Sequence, residues 1–184
     1  LIECSPLPFA ARAPYFRDGL PVIVPSIRRT PPEATSPRVK IHNYVNLKLA
    51  ELEVAAQNRH AWPILLDIRG NISEGPGSNF FIVLNKVLIT PREQYILGGI
   101  SRQTTIELAR ELNIEVLEDD IDLYDVYTAD EAFVTSTSFC ICPVASVNGS
   151  IIGEVIPGPV TARLQKAYSG LVGMDFVDQY LAHI

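Results

Sequence analysis

A few side chains in this sequence are of a type that could do chemistry. They are Lys40, Glu74, and the hydroxyl run Thr135-Ser136-Thr137-Ser138. A lysine amine can attack a carbonyl or carry a proton, and a carboxylate can hold a cation or accept one. Each also has a plainer reading. An isolated lysine is usually a solvated surface group. Glu74 stands before glycine in Ile72-Ser73-Glu74-Gly75, as turn carboxylates often do, and four hydroxyls at a strand end suit a wet edge. The stretch Gly98-Gly99-Ile100-Ser101 leads into a helix start. Such a junction can receive an anion, because glycine permits close backbone approach and free N–H groups point outward. Glycine-rich and hydroxyl-rich junctions in one chain together suit a phosphate cup.

The common catalytic signatures are missing. No G-x-S-x-G elbow, Walker loop or H-E-x-x-H is present, and His42, His60 and His183 are scattered. Gly75-Pro76-Gly77-Ser78-Asn79 lacks the third glycine and following helix of a dinucleotide fingerprint. The acidic stretch Asp119 to Asp125 does not match a calcium loop and reads as a solvated turn. Cys140-Ile141-Cys142 has the wrong spacing for a Cys-x-x-Cys site, so no metal is expected.

Periodicity gives the elements that would position these groups. Pro21 to Ile27 is a β-branched strand candidate, followed by a proline-interrupted loop from Arg28 to Pro37. Asn43 to Gln57 places Val45, Leu47, Leu49 and Leu52 at helical spacing, with Asn43 as its N-cap and Lys40 at the strand-to-helix junction before it. Strands are expected over Pro63 to Ile68, Asn79 to Leu84 and Lys86 to Thr90, with a tight turn at Asn85. A helix opens at Ser101 or Arg102 and ends near Leu112; Ile114 and Val116 begin another strand, and Ala132 to Thr137 forms one more. Asn148-Gly149 signals a hairpin within Val144 to Ile152, and Gly158-Pro159 starts a helix over Val160 to Leu171. Leu1 to Phe9 reads as the tail of a strand running into a proline-rich loop. Strands and helices mix without a strict β-α-β repeat, so the fold class is α+β, or mixed α/β in a loose sense.

Composition narrows the setting. The 184 residues are 47% hydrophobic and 20% charged, the balance of a folded domain with a substantial core. A net charge of -6 offers no basic stripe for nucleic acid. Three cysteines fit a reducing compartment, and no apolar run approaches a membrane span, so the cytoplasm is the expected address. Leu1-Ile2 is not a natural start, and a fragment of a longer chain is expected.

Read together and in order, five stretches resemble the class IV (fold type IV) aminotransferases. That group includes branched-chain, D-amino-acid and (R)-amine aminotransferases and aminodeoxychorismate lyase. The stretches are Val39-Lys40-Ile41-His42-Asn43-Tyr44, Gly70 to Phe81, Ile96 to Arg102, Asp130 to Thr137 continuing to Pro143-Val144, and Gly158-Pro159-Val160-Thr161. The resemblance implies that residues 31–184 are the large, pyridoxal 5′-phosphate-binding domain. Residues 1–30 would be an interdomain segment and first strand, with the smaller N-terminal domain absent.

The same resemblance implies the roles. Lys40 matches the lysine that forms a Schiff base with the cofactor aldehyde and later shuttles the proton. Glu74 matches the carboxylate paired with the pyridine nitrogen, and Tyr44 a tyrosine near the cofactor oxygen. Ile100 and Ser101 match the helix-start phosphate donors, Thr137 a further donor, and Ser136 and Ser138 flank it toward cofactor or substrate. The family often has glutamate where Cys140 stands, and threonine where Ser101 stands. Implied partners are an amino donor and a keto acceptor, in a homodimer. Transamination is the expected activity; elimination of the aminodeoxychorismate lyase type, or a non-catalytic fragment, are the alternatives.

Overall fold

β-branched and aromatic runs supply the strands of one mixed sheet. The computed structural model describes Ile2 and residues 4–184. In chain order its elements are α1 (Phe9–Asp18), β1 (Leu20–Ile23), α2 (Val45–Gln57), β2 (Trp62–Pro63), β3 (Glu74–Gly75), β4 (Ser78–Leu84), β5 (Val87–Thr90), a 3-10 turn (Glu93–Tyr95), α3 (Ile100–Glu111), β6 (Val116–Glu118), α4 (Leu123–Tyr127), β7 (Glu131–Ser136), β8 (Cys140–Val147), β9 (Ser150–Ile151), α5 (Pro159–Val172) and α6 (Phe176–Leu181). The sheet runs β2-β1-β8-β7-β4-β5-β6, with β3 on β4 and β9 on β8. Its centre, β8-β7-β4-β5, is antiparallel, while β1/β2, β1/β8 and β5/β6 are parallel. This is the mixed α/β architecture expected from the sequence.

The middle strands are buried on both faces, which is why they read as continuous apolar runs. Phe80, Phe81, Ile82, Phe133 and Val134 are each at most 1% exposed, and Phe81 stacks on its cross-strand partner Phe133 at 4.9 Å. Helix α3 packs on α5, and both pack against β7. Among the described residues no helix is long and apolar enough to cross a membrane.

Two of the two-residue hairpins have the turn their sequence calls for. Asn85 and Lys86 (φ 51° and 69°) join β4 to β5, and Asn148 and Gly149 (φ 50° and 84°) join β8 to β9. Two consecutive positive φ angles match the right-handed twist of the flanking strands.

Several expectations change. The segment before Pro21 holds α1, a helix hidden in the sequence by Pro6, Pro8 and the internal Pro14. It exists because Ala13 and Phe16 are buried and Phe16 stacks on Tyr180 of α6 at 4.3 Å, a partner far away in sequence. Residues 4–8 are irregular, and the part of the strand-tail expectation that falls on Leu1 and Glu3 lies outside the described residues. Strand β1 stops at Ile23, ahead of Pro25, and the expected Pro63–Ile68 strand shrinks to β2 plus one bridge between Leu66 and Ile72. The N-cap of α2 is Tyr44 and not Asn43, with no side-chain cap. Within the acidic stretch, Asp122 and Asp125 form a capping box that starts α4, while Asp119 pairs with Arg92.

One buried carboxylate ties the sheet to α5. Glu131, 6% exposed, accepts from the Val160 and Thr161 amides at 2.8 Å each and from the Thr161 hydroxyl at 2.7 Å. It reaches these free amides because Gly158 leaves room: a Cβ there would lie 2.2 Å from the Glu131 carboxyl carbon. Charge-assisted bonds to helix-start amides are among the stronger ones. Glu131→Ala is therefore expected to lower unfolding free energy by about 3 kcal/mol, read by urea denaturation.

Candidate active site

Lys40, Tyr44, Glu74, Ile100, Ser101, Ser136 and Thr137 come from separate stretches of sequence, yet all line one cavity of about 400 Å³. A single arrangement of strands accounts for its floor. Residues directly opposite on neighbouring strands share a face, and Glu74 of β3 lies opposite Asn79 of β4, which lies opposite Thr135 of β7. Two residues further along β4, on the same face, stands the Phe81–Phe133 pair. The apolar row thus gives way to a polar one where the cavity begins.

Glu74 is 5% exposed. Its Oε1 accepts from Arg29 Nε at 2.9 Å and its Oε2 from the Leu97 amide at 2.9 Å. Burial pushes the carboxyl up from its ordinary value; the Arg29 guanidinium, the Leu97 N–H and Lys40 pull it back. The result is a desolvated carboxylate, supported on two sides, that faces the space a cationic ring nitrogen could fill.

At the other side of the cavity lies the start of α3. Its N-cap is Gly99, and no side chain caps its first-turn amides. A Cβ on Gly99 would lie 2.3 Å from Asn79 Oδ1, so this bend requires glycine. Ile100 is 80% exposed, while the Ser101 hydroxyl is buried and accepts from Tyr168 OH at 3.3 Å, which leaves the Ser101 proton free to donate. Thr137 is exposed on the turn after β7, and Ser136 Oγ braces that turn by accepting from the Phe139 amide at 3.0 Å.

Lys40 is exposed in the irregular segment that precedes α2. It is not at a direct strand-to-helix junction, because residues 24–44 form a long loop without regular elements. Tyr44, 41% exposed, stands at the cavity mouth edge-on to His42. Ser138 does not line the cavity. Its hydroxyl accepts from Arg12 Nη1 at 2.7 Å, and its carbonyl accepts from Tyr180, so it anchors the turn to α1 and α6.

Arg29 and Asn79 were given no site role from the sequence, and Thr135 was read only as part of a hydroxyl run. Arg29 matters only through Glu74, Asn79 only through the Leu97 carbonyl, and Thr135 only through its place in the cross-strand row. Thr135 Oγ1 is buried and has no hydrogen-bond partner among the described residues.

Residues 2–147 match the family described as amino-transferase class IV. The chain belongs to the class IV aminotransferase family. It is 38% identical over 172 residues to the branched-chain-amino-acid aminotransferase of Escherichia coli, covering 91% of this chain and 55% of that protein. The Pseudomonas aeruginosa protein of the same name is 38% identical over 157 residues, covering 85% and 51%. The chain thus spans about half the length of these class IV relatives. Among solved structures, the E. coli enzyme superposes with a TM-score of 0.76 at 40% identity, covering 84% of this chain and 52% of that one. The T.th. branched-chain amino acid aminotransferase complexed with N-(5′-phosphopyridoxyl)-L-glutamate gives 0.79 at 32% identity, covering 85% and 52%.

The cavity fits a phosphorylated pyridine. It offers a buried carboxylate on one side, uncapped helix amides on another, and a buried orphan hydroxyl, Thr135 Oγ1, in its wall.

Glu74 also sets a pH dependence. Its folded carboxyl titrates above the unfolded one, so its contribution favours folding below the ordinary carboxylate range and is lost as pH rises through the folded value. Removing Arg29, which pulls this value down, widens the window. Arg29→Met is expected to lose more stability at pH 7 than at pH 4, relative to the parent, in paired urea titrations.

Proposed function

We propose that this chain is the cofactor-holding part of a pyridoxal 5′-phosphate-dependent aminotransferase, with residues 31–184 as its cofactor-binding domain. The observation that carries the reading is that Lys40, Glu74 and the uncapped start of α3 border the same cavity. The T.th. relative, solved with pyridoxamine 5′-phosphate and with a phosphopyridoxyl-glutamate, supports it. The names of the relatives point to branched-chain amino acids as donors and their 2-keto acids as acceptors.

The bound cofactor supplies an electron sink for the pair left behind when the substrate α-carbon loses its proton. The chain's residues do the rest. Lys40, which borders the cavity, is the residue that would hold the cofactor aldehyde, and its free Nζ would serve as the base and acid that moves the substrate α-proton. Glu74, hydrogen-bonded by Arg29 and the Leu97 amide, is the carboxyl that would pair with the ring nitrogen and favour its protonated form. The Ile100 and Ser101 amides, the Ser101 hydroxyl and Thr137 hold the phosphate, and Tyr44 closes the mouth beside Lys40.

Borohydride reduction with peptide mapping tests this reading. A reduced pyridoxyl group on Lys40 is the expected result, and a parent chain incubated with cofactor that shows none sinks the proposal. Lys40→Ala is expected to remove the adduct and lower turnover by about 10²–10⁴-fold or more. Glu74→Gln should still carry the adduct but transfer the proton on the order of 10²-fold more slowly in single-turnover absorbance. Equal rates for this variant and the parent would remove Glu74 from the mechanism.

A further inference from the structure

Asn79 is 6% exposed and sits in the middle of the cross-strand row, between Glu74 and Thr135. Its Nδ2 donates to the Leu97 carbonyl at 2.9 Å. The amide of the same residue, Leu97, donates to Glu74 Oε2 at 2.9 Å. The Leu97 residue is therefore pinned at its N–H by the carboxylate and at its C=O by the asparagine. Two residues later stands Gly99, the N-cap of α3, whose Cα packs so tightly on Asn79 that a Cβ would lie 2.3 Å from Oδ1. One amide side chain thus holds the segment 97–99 by a hydrogen bond from its donor end at Leu97 and by close packing of its acceptor end against Gly99.

We propose that Asn79 is a positioning residue that locks the Glu74 carboxylate and the start of α3 in fixed register. It acts through the Leu97 backbone, so that the site grips both ends of a phosphorylated pyridine as one rigid unit. This rests on the aminotransferase reading. Glu74 addresses the ring and the α3 amides address the phosphate, and a ligand that spans both gains affinity only if their spacing is fixed before it arrives. Segment 97–99 links the two, by the Leu97 hydrogen bond at Glu74 and by the chain into α3, and Asn79 is the side chain that holds it.

A merely structural asparagine would make a different prediction. Its loss would lower stability and weaken every ligand of the cavity alike. A positioning residue affects the ligand that uses both ends more than the ligand that uses one.

The test titrates pyridoxal 5′-phosphate and unphosphorylated pyridoxal separately, following the absorbance of the Lys40 adduct. Asn79→Ala is expected to weaken pyridoxal 5′-phosphate about tenfold and pyridoxal by less than about threefold, the scale of one lost hydrogen bond to a buried group. If Asn79→Ala does not fold, Asn79→Asp serves instead: it keeps the shape but offers the Leu97 carbonyl no donor, and the same selective loss is expected. Equal weakening of both ligands, or of neither, overturns the proposal.

A second measurement uses Gly99→Ala. Its added methyl collides with Asn79 Oδ1, so it should cost pyridoxal 5′-phosphate affinity in the parent and less in the Asn79→Ala background; strictly additive losses count against the coupling. A parent chain that binds no pyridoxal 5′-phosphate defeats the aminotransferase reading and this inference with it. A parent that binds it, with variants that keep the parent's preference for the phosphorylated ligand, defeats the inference alone.

Discussion

A carboxylate withdrawn from water must be given donors or lose its charge, and the arrangement around Glu74 answers that constraint. The residue sits on a two-residue strand, too short to hold a side chain in place by itself. Its donors arrive from elsewhere: Arg29 from the long proline-rich loop and Leu97 from the segment before α3. Those two donors fix the paths of both segments. The Arg29 amide is itself fastened to the Leu66 carbonyl at 2.8 Å, so the loop that carries Lys40 enters the cavity from a secured end. Satisfying one buried charge thereby brings together the amine, the carboxylate and the helix start.

The sheet makes this possible by changing character along one face. On β4 and β7 the pair Phe81–Phe133 is pure core, and Asn79–Thr135, two residues along, is buried but polar. An antiparallel ladder puts these pairs at the same height on the same side, so the polar row forms without any loop having to reach inward. Helix α3 starts against the middle of that row, at Asn79. Its glycine entry allows the backbone to lie against Asn79, and Tyr168 of α5 steadies the Ser101 hydroxyl from behind. On the far side Arg12 of α1 and Tyr180 of α6 both bond Ser138, holding the turn that presents Ser136 and Thr137.

Local sequence was informative where a local force decides the structure. Asn148-Gly149 marked its hairpin because few residues tolerate two positive φ angles, and Gly158-Pro159 marked a helix start because proline suits the first turn. It was misleading where distant partners decide. Helix α1 carries an internal proline and stands only because Phe16 has Tyr180 to stack on. Ser138 belongs to the hydroxyl run by sequence, but Arg12 takes its hydroxyl away from the cavity.

The sequence by itself determined the strand and helix inventory of the sheet's centre, the glycine-rich helix entry and, through five ordered stretches, the class IV aminotransferase family. Periodicity and turn chemistry are properties of neighbouring residues, so they can be read along the chain. Only the tertiary structure decided that Arg29 supports Glu74, that Asn79 holds the Leu97 carbonyl, and that Thr135 closes a polar row begun at β3. These relations join residues on different strands and loops. They arise from strand register and from the need to satisfy buried polar groups, and neither exists until the sheet has formed.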